Sequence, residues 1–180
     1  MRLETERLII RLWRDEDREP YAAMVADPEV RRFYVSTMNR AESDAAIDAY
    51  LGFQARDGFS FLAVERKSDG ALLGDVGMVP VIMPVAGNPP VEIGWLIGKQ
   101  YWGNGYAVEA ARAWVDYGFN TLGLGEIVAW TAVLNLQSQR VMQKLGMTHD
   151  AADDFLHPKV PEGHRLRPHV MYRLKPSGSA

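Results

Sequence analysis

The chain contains no cysteine, which excludes disulfides, thiol nucleophiles and thiolate metal sites and agrees with a reducing compartment. Histidine is scarce, with 4 in 180 residues, and none stands at a spacing that suggests a metal site, so no metal is expected. No apolar run approaches the ~20 residues needed to span a bilayer. The opening Met1-Arg2-Leu3-Glu4 lacks the apolar stretch of a signal peptide. Neither sign of charge dominates: 20 Lys and Arg stand against 23 Asp and Glu, a net charge of −3. Such a balance provides no field for nucleic acid or an anionic membrane. Internal repeats, low-complexity tracts and linkers are also missing. The expectation is a cytoplasmic, soluble chain with neither nucleic acid nor membrane as partner.

What remains is ordinary for a folded domain, with 47% apolar and 24% charged residues. Leu8 to Trp13 reads as a strand. Asp15-Glu16-Asp17 places acid where a helix start favours it, and Asp27-Pro28 ends that helix. Asn39 with Glu42 fits a capping box, and Asp57-Gly58 closes the helix that follows. Residues 59–66, 72–81 and 91–97 are strand-like, the first two joined by the tight turn Ser68-Asp69-Gly70 as an antiparallel hairpin. A helix begins at Gly105 with Ala107, Ala111, Trp114 and Gly118 on one stripe. Residues 126–133 form another strand, Asn135 caps a last helix stopped by Gly146, and residues 167–174 form a final strand. This order predicts one α/β domain over residues 1–175, with a mixed, mostly antiparallel sheet flanked by helices, and a loose tail at 176–180.

The segment Gln100-Tyr-Trp-Gly103-Asn104-Gly105-Tyr106-Ala107 lies between a strand and a long helix. Glycine there costs about 1 kcal/mol of helix stability per residue relative to alanine. A strand turning through Gly-x-Gly into a helix offers free N–H groups at a positive dipole end, which suits phosphate. The dinucleotide fingerprint is excluded because its third glycine position holds Val108. The P-loop is excluded by the missing Gly-Lys-Ser/Thr. Spacing alone leaves two readings open, an anion cradle or a turn that packs a helix onto a sheet.

The stretch EIGWLIGKQYWGNGYAVEAARAWVDYGF resembles the acetyl-CoA-binding segment of the GNAT superfamily of N-acetyltransferases, through Gln100, Gly103 and Gly105. NLQSQRVMQKLGM is similar to the family's Asn-led helix, and TERLIIRLWRDED to the start of its RimJ/RimL-type branch (ribosomal-protein alanine acetyltransferases). The tail from Asp153 resembles bacterial members of that branch, so the likeness runs from about residue 3 to about 175. It implies a V-shaped opening between the two central strands, with the pantetheine arm of acetyl-CoA pairing there with the backbone of Trp95, Leu96 and Ile97. The pyrophosphate is then expected on the N–H groups of Trp102, Gly103, Asn104, Gly105, Tyr106 and Ala107. Gly94 provides close approach or a bulge, and the Asn135 amide touches the arm as well as capping its helix.

Many members carry a tyrosine seven residues after this asparagine to protonate the departing thiolate. Met142 stands there and has no proton to give. The resemblance passes the role to Ser138, one turn earlier, with Tyr172 as the alternative. Glu92, at the head of the cofactor-bearing strand, is the first candidate for general base, and His157, His164 and His169 remain alternatives with suitable pKa values. The acceptor, a primary amine on a small molecule or a protein N-terminus, is placed between the early helices and the segment 153–172. There Asp153 and Asp154 would attract it and His157 and His164 would contact it. The family often forms homodimers. Two other readings stand beside acetyl transfer to an amine: a non-catalytic acyl-CoA sensor and transfer of a longer acyl group.

Overall fold

The computed structural model describes residues 1–176; beyond Pro176, the expected tail lies outside them. The described strands are β1 (Arg2–Glu4), β2 (Leu8–Arg11), β3 (Phe61–Arg66), β4 (Leu72–Pro80), β5 (Val91–Ile97), β6 (Ile127–Ala132), β7 (Thr148–His149), β8 (Phe155–Leu156) and β9 (Pro168–Leu174). The helices are α1 (Arg18–Ala26), α2 (Arg40–Asp57), α3 (Tyr106–Asn120) and α4 (Leu136–Lys144). All the strands join one sheet in the order β1-β2-β3-β4-β5-β6-β9-β7, with β8 added to β9. Every neighbouring pair is antiparallel except β5 and β6.

Each local signal has a physical counterpart. Asn39 and Glu42 exchange side-chain and backbone hydrogen bonds of 3.0 and 2.8 Å, satisfying the first free donors of α2. Gly58 ends that helix with φ of 80°, a left-handed turn that glycine adopts without penalty. On one face of the sheet α3 and α4 bury Tyr106, Ala110, Ala111, Trp114 and Met142. The Trp114 indole donates to the Val76 carbonyl at 2.9 Å, so this buried polar atom is satisfied. On the other face α1 and α2 bury Trp13, Tyr21, Met24, Val25 and Ile47.

Arg11 ties α1 to the sheet. Its guanidinium holds Asp17 at 2.6 and 2.9 Å and Glu65 at 2.6 Å, with Arg11 and Asp17 both buried. The sheet opens at β5 and β6, which share one register pair, Glu92 with Val128, and then diverge. Gly94 makes no bulge; it pairs regularly with Gly77. The irregularity lies between Val64 and Glu65 of β3, opposite Gly74 and Leu72.

Candidate active site

The divergence of β5 and β6 creates a cleft of about 320 Å³ bordered by Trp95, Leu96, Ile97, Gly103, Gly105, Tyr106, Ala107, Asn135 and Ser138. The sequence places these residues in three separate segments, and the parallel pairing brings the starts of α3 and α4 to the same end of the sheet.

The glycine crease is built to leave donors free. Gly103 and Gly105 both hold the left-handed backbone, with φ of 80° and 81°. A Cβ at Gly103 would meet nothing within 4 Å, so the glycine answers to the left-handed backbone of the turn and not to tight packing. Gly105 is the residue before α3 and has no side chain with which to cap it. Among the described residues, nothing accepts from the N–H groups of residues 103–108, and the first internal bond comes from Glu109 to the Gly105 carbonyl at 3.0 Å. A helix start with its donors unspent attracts an anion. Asn104 fixes the turn: its amide donates to the carbonyls of Tyr101 and Trp102 at 3.0 and 3.1 Å. Arg7, paired with Glu109, donates to the Asn104 carbonyl at 3.1 Å from the other side.

Several expectations need correction. The Trp102 N–H is not available, because it closes a turn on the Lys99 carbonyl at 3.2 Å. Its indole donates to the Ile97 carbonyl at 2.6 Å, which removes one acceptor from that strand end. Asn135 caps α4 as expected, its oxygen accepting from the Ser138 N–H at 3.2 Å, and its nitrogen donates to Thr131 at 2.9 Å while keeping a second N–H. Ser138, by contrast, does not bond back into its helix; no partner of its hydroxyl is found among the described residues, and it borders both the cleft and the chamber behind it. Met142 is buried. Tyr172 borders neither space; it lies under the His149 ring at 5.0 Å.

Behind the cleft, on the α1 and α2 face, lies a chamber of about 550 Å³ that shares Phe33, Tyr34, Trp95, Leu96, Asn135 and Ser138 with it. Helices α1 and α2 supply Tyr21 and Tyr50, and the late segment supplies His157, Lys159, Val160, Leu166 and His169. Burial pushes the Glu92 carboxyl up to about 8, against the opposing charge of Lys159. Burial lowers His157 and His169, whose rings lie 4.7 Å apart. His164 is not in the chamber: its ring accepts from the Leu166 N–H at 3.2 Å and fixes a local turn. Asp153 is held by Arg173 at 2.5 Å and Asp154 by His149 at 2.8 Å, so neither acid is free to attract an amine.

Asp75, unremarked in the sequence, sits in the chamber wall with 3% exposure. It accepts from the Tyr21 hydroxyl at 2.9 Å. Burial pushes it up to about 7 despite that donor and the charge of Arg31. The signal was present: one acid inside the apolar run Leu72-Leu-Gly-Asp-Val-Gly-Met78. Arg32, Arg140 and Lys144 around the cleft were also missed. Arg32 lies 4.5 Å over the Trp102 ring and donates to Gln137 at 2.5 Å, linking the segment after α1 to α4. No group of three or more His, Asp or Glu among the described residues could hold a metal ion.

The sheet is thus opened between its central strands, with a donor-rich helix start at the open end. The chain belongs to the GNAT acetyltransferases: the profile described as "Acetyltransferase (GNAT) domain" matches residues 7–148. It is 30% identical to the "Uncharacterized N-acetyltransferase YnaD" of Bacillus subtilis, over 97% of this chain and 96% of that protein. It is 33% identical to YkkB of the same organism, over 81% and 84%. Among solved structures, a GNAT-family acetyltransferase of Bacillus anthracis superposes with a TM-score of 0.82 at 26% identity, covering 97% and 98% of the two chains. The protein is therefore an acetyltransferase enzyme with the GNAT fold, and GNAT acetyltransferases use acetyl-CoA.

Proposed function

We propose that the protein transfers the acetyl group of acetyl-CoA to a primary amine by direct attack on the thioester. The observation that carries this reading is the cradle of unspent N–H groups at residues 103–107, at the end of a cleft that adjoins a chamber lined by two carboxyl groups. The residues fit the donor. The N–H groups of Gly103 to Ala107 would take the pyrophosphate, and Arg32, Arg140 and Lys144 would add cationic partners for phosphate. The unpaired edge of β5 at Trp95, Leu96 and Ile97 would line the pantetheine arm, with Asn135 at its side. Acetyl-CoA supplies an activated acyl carbon.

Alkyl amines are protonated near neutral pH, so a base must act first. Glu92 takes that role in our reading, since a carboxyl held near 8 accepts a proton at working pH. His157, with its lowered basicity, stands beside it as a contact for the acceptor. A backbone N–H on the open edge of β5 faces the developing oxyanion. The Ser138 hydroxyl, without another partner, donates to the departing sulfur. Thiolate is a good leaving group, with a free-thiol pKa near 8.5, and a single hydrogen bond is adequate help. The opening segment Thr5 to Asp17 and the Ser138 and Met142 pair support placement in the RimJ/RimL-type branch, acting in the cytoplasm.

The test is release of free thiol from acetyl-CoA over a panel of primary amines, with acetylated product identified by mass. Amine-dependent release confirms the reading. Tight CoA binding without turnover of any amine would make the chain an acyl-CoA sensor instead.

A further inference from the structure

The chamber holds a feature that acetylation of a simple amine does not require. Two carboxyl groups, Asp75 and Glu92, line it together. Both are on the α1 and α2 face: Asp75 is paired with Leu96, and Glu92 follows on the same face of β5, four residues away. At 3.3 Å per residue their backbones are separated by about 13 Å along the sheet, so the acids stand toward opposite ends of one space. Neither forms an ion pair with a lysine or arginine among the described residues. Arg31 also borders the chamber and its charge acts on Asp75, but its own bonds go elsewhere: it donates to the Ser36 carbonyl at 3.1 Å and lies 3.7 Å over the Tyr34 ring. The walls between the acids are aromatic, with Tyr21, Tyr34, Tyr50, Phe61, Trp95 and Trp130.

Lys159 borders the chamber on the Glu92 side without forming an ion pair with it, and a buried carboxyl with no direct ionic partner is costly until a cation pairs with it. Aromatic faces favour the same guest, because ring quadrupoles attract ammonium groups. Gly94 and Gly77 face each other between the two acids, and the Phe61 ring packs directly on Gly94, where a Cβ would lie 3.0 Å from it.

Resting on the acetyl-transfer reading above, we propose that the acceptor is a small linear amine carrying two positive charges. One ammonium group is held by Asp75 within the ring of Tyr21, Tyr34 and Tyr50. The other is presented to the thioester on the Glu92 side. There the nitrogen gives one proton to the Glu92 carboxylate and forms its bond to the acetyl carbon. The carbon–sulfur bond breaks, and the second proton lost from nitrogen ends on sulfur. The products are the mono-acetylated diamine, still singly charged, and CoA thiol. A protein N-terminus, by contrast, would have to enter past the late segment, which lines the chamber with His157, Lys159, Val160, Leu166 and His169.

The experiment compares kcat/KM at saturating acetyl-CoA for 1,4-diaminobutane and 1,5-diaminopentane with n-butylamine and n-pentylamine. The wild type should prefer the diamines by about 10- to 100-fold, the range of a charge-assisted hydrogen bond. Asp75→Asn keeps the size of the side chain and should bring the diamines down to the monoamine level, mainly through KM. Equal kcat/KM for diamines and monoamines in the wild type would overturn the proposal without any variant. So would a preference that survives in Asp75→Asn, or faster turnover of a peptide N-terminus, and both outcomes leave amine acetylation standing. Absence of turnover with every amine would overturn that reading and this proposal together.

Discussion

Glu92 and Val128 face each other across the one rung that joins β5 to β6. Beyond it the parallel strands separate, and the gap they leave connects the anion cradle at the start of α3 to the chamber under α1 and α2. The same residue that pins the strands together thus presents its carboxyl at the far end of the space they open.

The cradle is tested by Gly103→Asn. Asparagine tolerates a left-handed backbone better than other side chains, so the fold should persist. Its amide would enter the space above the free N–H groups, and affinity for CoA measured by calorimetry should fall about tenfold or more. Undiminished affinity would return this crease to a purely structural role.

Ser138→Ala separates leaving-group assistance from helix structure. A hydrogen bond that strengthens as charge develops contributes to kcat and little to ground-state binding. The expected result is a kcat lower by about 10- to 100-fold, as for bonds to charged groups, at nearly unchanged KM for acetyl-CoA. Unaltered kcat would remove Ser138 from the chemistry, and Tyr34, which borders both spaces, would be the next residue to vary.

The pH dependence follows from Glu92, held at about 8 by burial. A base must be ionised, so kcat/KM should rise with pH and level off above about 8. Glu92→Gln should lower kcat/KM by about 10²- to 10⁴-fold and erase that inflection. Stability runs the other way. A carboxyl raised in the folded state favours folding while protonated, and that advantage is lost as pH rises through the folded value. Glu92→Gln should therefore melt higher than wild type at pH 9 and nearly alike at pH 4.

Arg11 carries no part of the chemistry but holds two acids, Asp17 and Glu65, where α1 meets the sheet. Arg11→Ala leaves the buried Asp17 without its cation, while Glu65 keeps Arg14 at 3.4 Å, and should cost about 3–5 kcal/mol in urea unfolding. A loss below 1 kcal/mol would show that the site face is not anchored there.

Much of this was legible in the chain because the signals are local. The Asn39 and Glu42 box, the Ser68-Asp69-Gly70 turn and the Gly58 stop each act within a few residues, and the helices and longer strands fall where they predict. The strands β7 and β8 have two residues each, too short for any alternation, and they exist because β9 offers them an edge. The crease beside the cleft was readable because its free donors come from one continuous stretch of chain. The chamber was not: Tyr21 and Asp75 are 54 positions apart, and only the packing of α1 on β4 brings them together. Asp153 misled for the same reason, since its partner Arg173 lies 20 positions away on the final strand; Asp154 is taken by His149 at the end of the two-residue strand β7, which has no signal of its own.

The central claim is that acetyl transfer takes place where β5 and β6 part. A crystal structure of the complex with CoA tests it most directly. The account predicts the pyrophosphate on the N–H groups of residues 103–107, the arm along residues 95–97, and the sulfur within hydrogen-bond distance of the Ser138 hydroxyl. CoA bound elsewhere, for instance in the depression between Thr5 and Glu109 beside α3, with the gap between the strands unfilled, would contradict it.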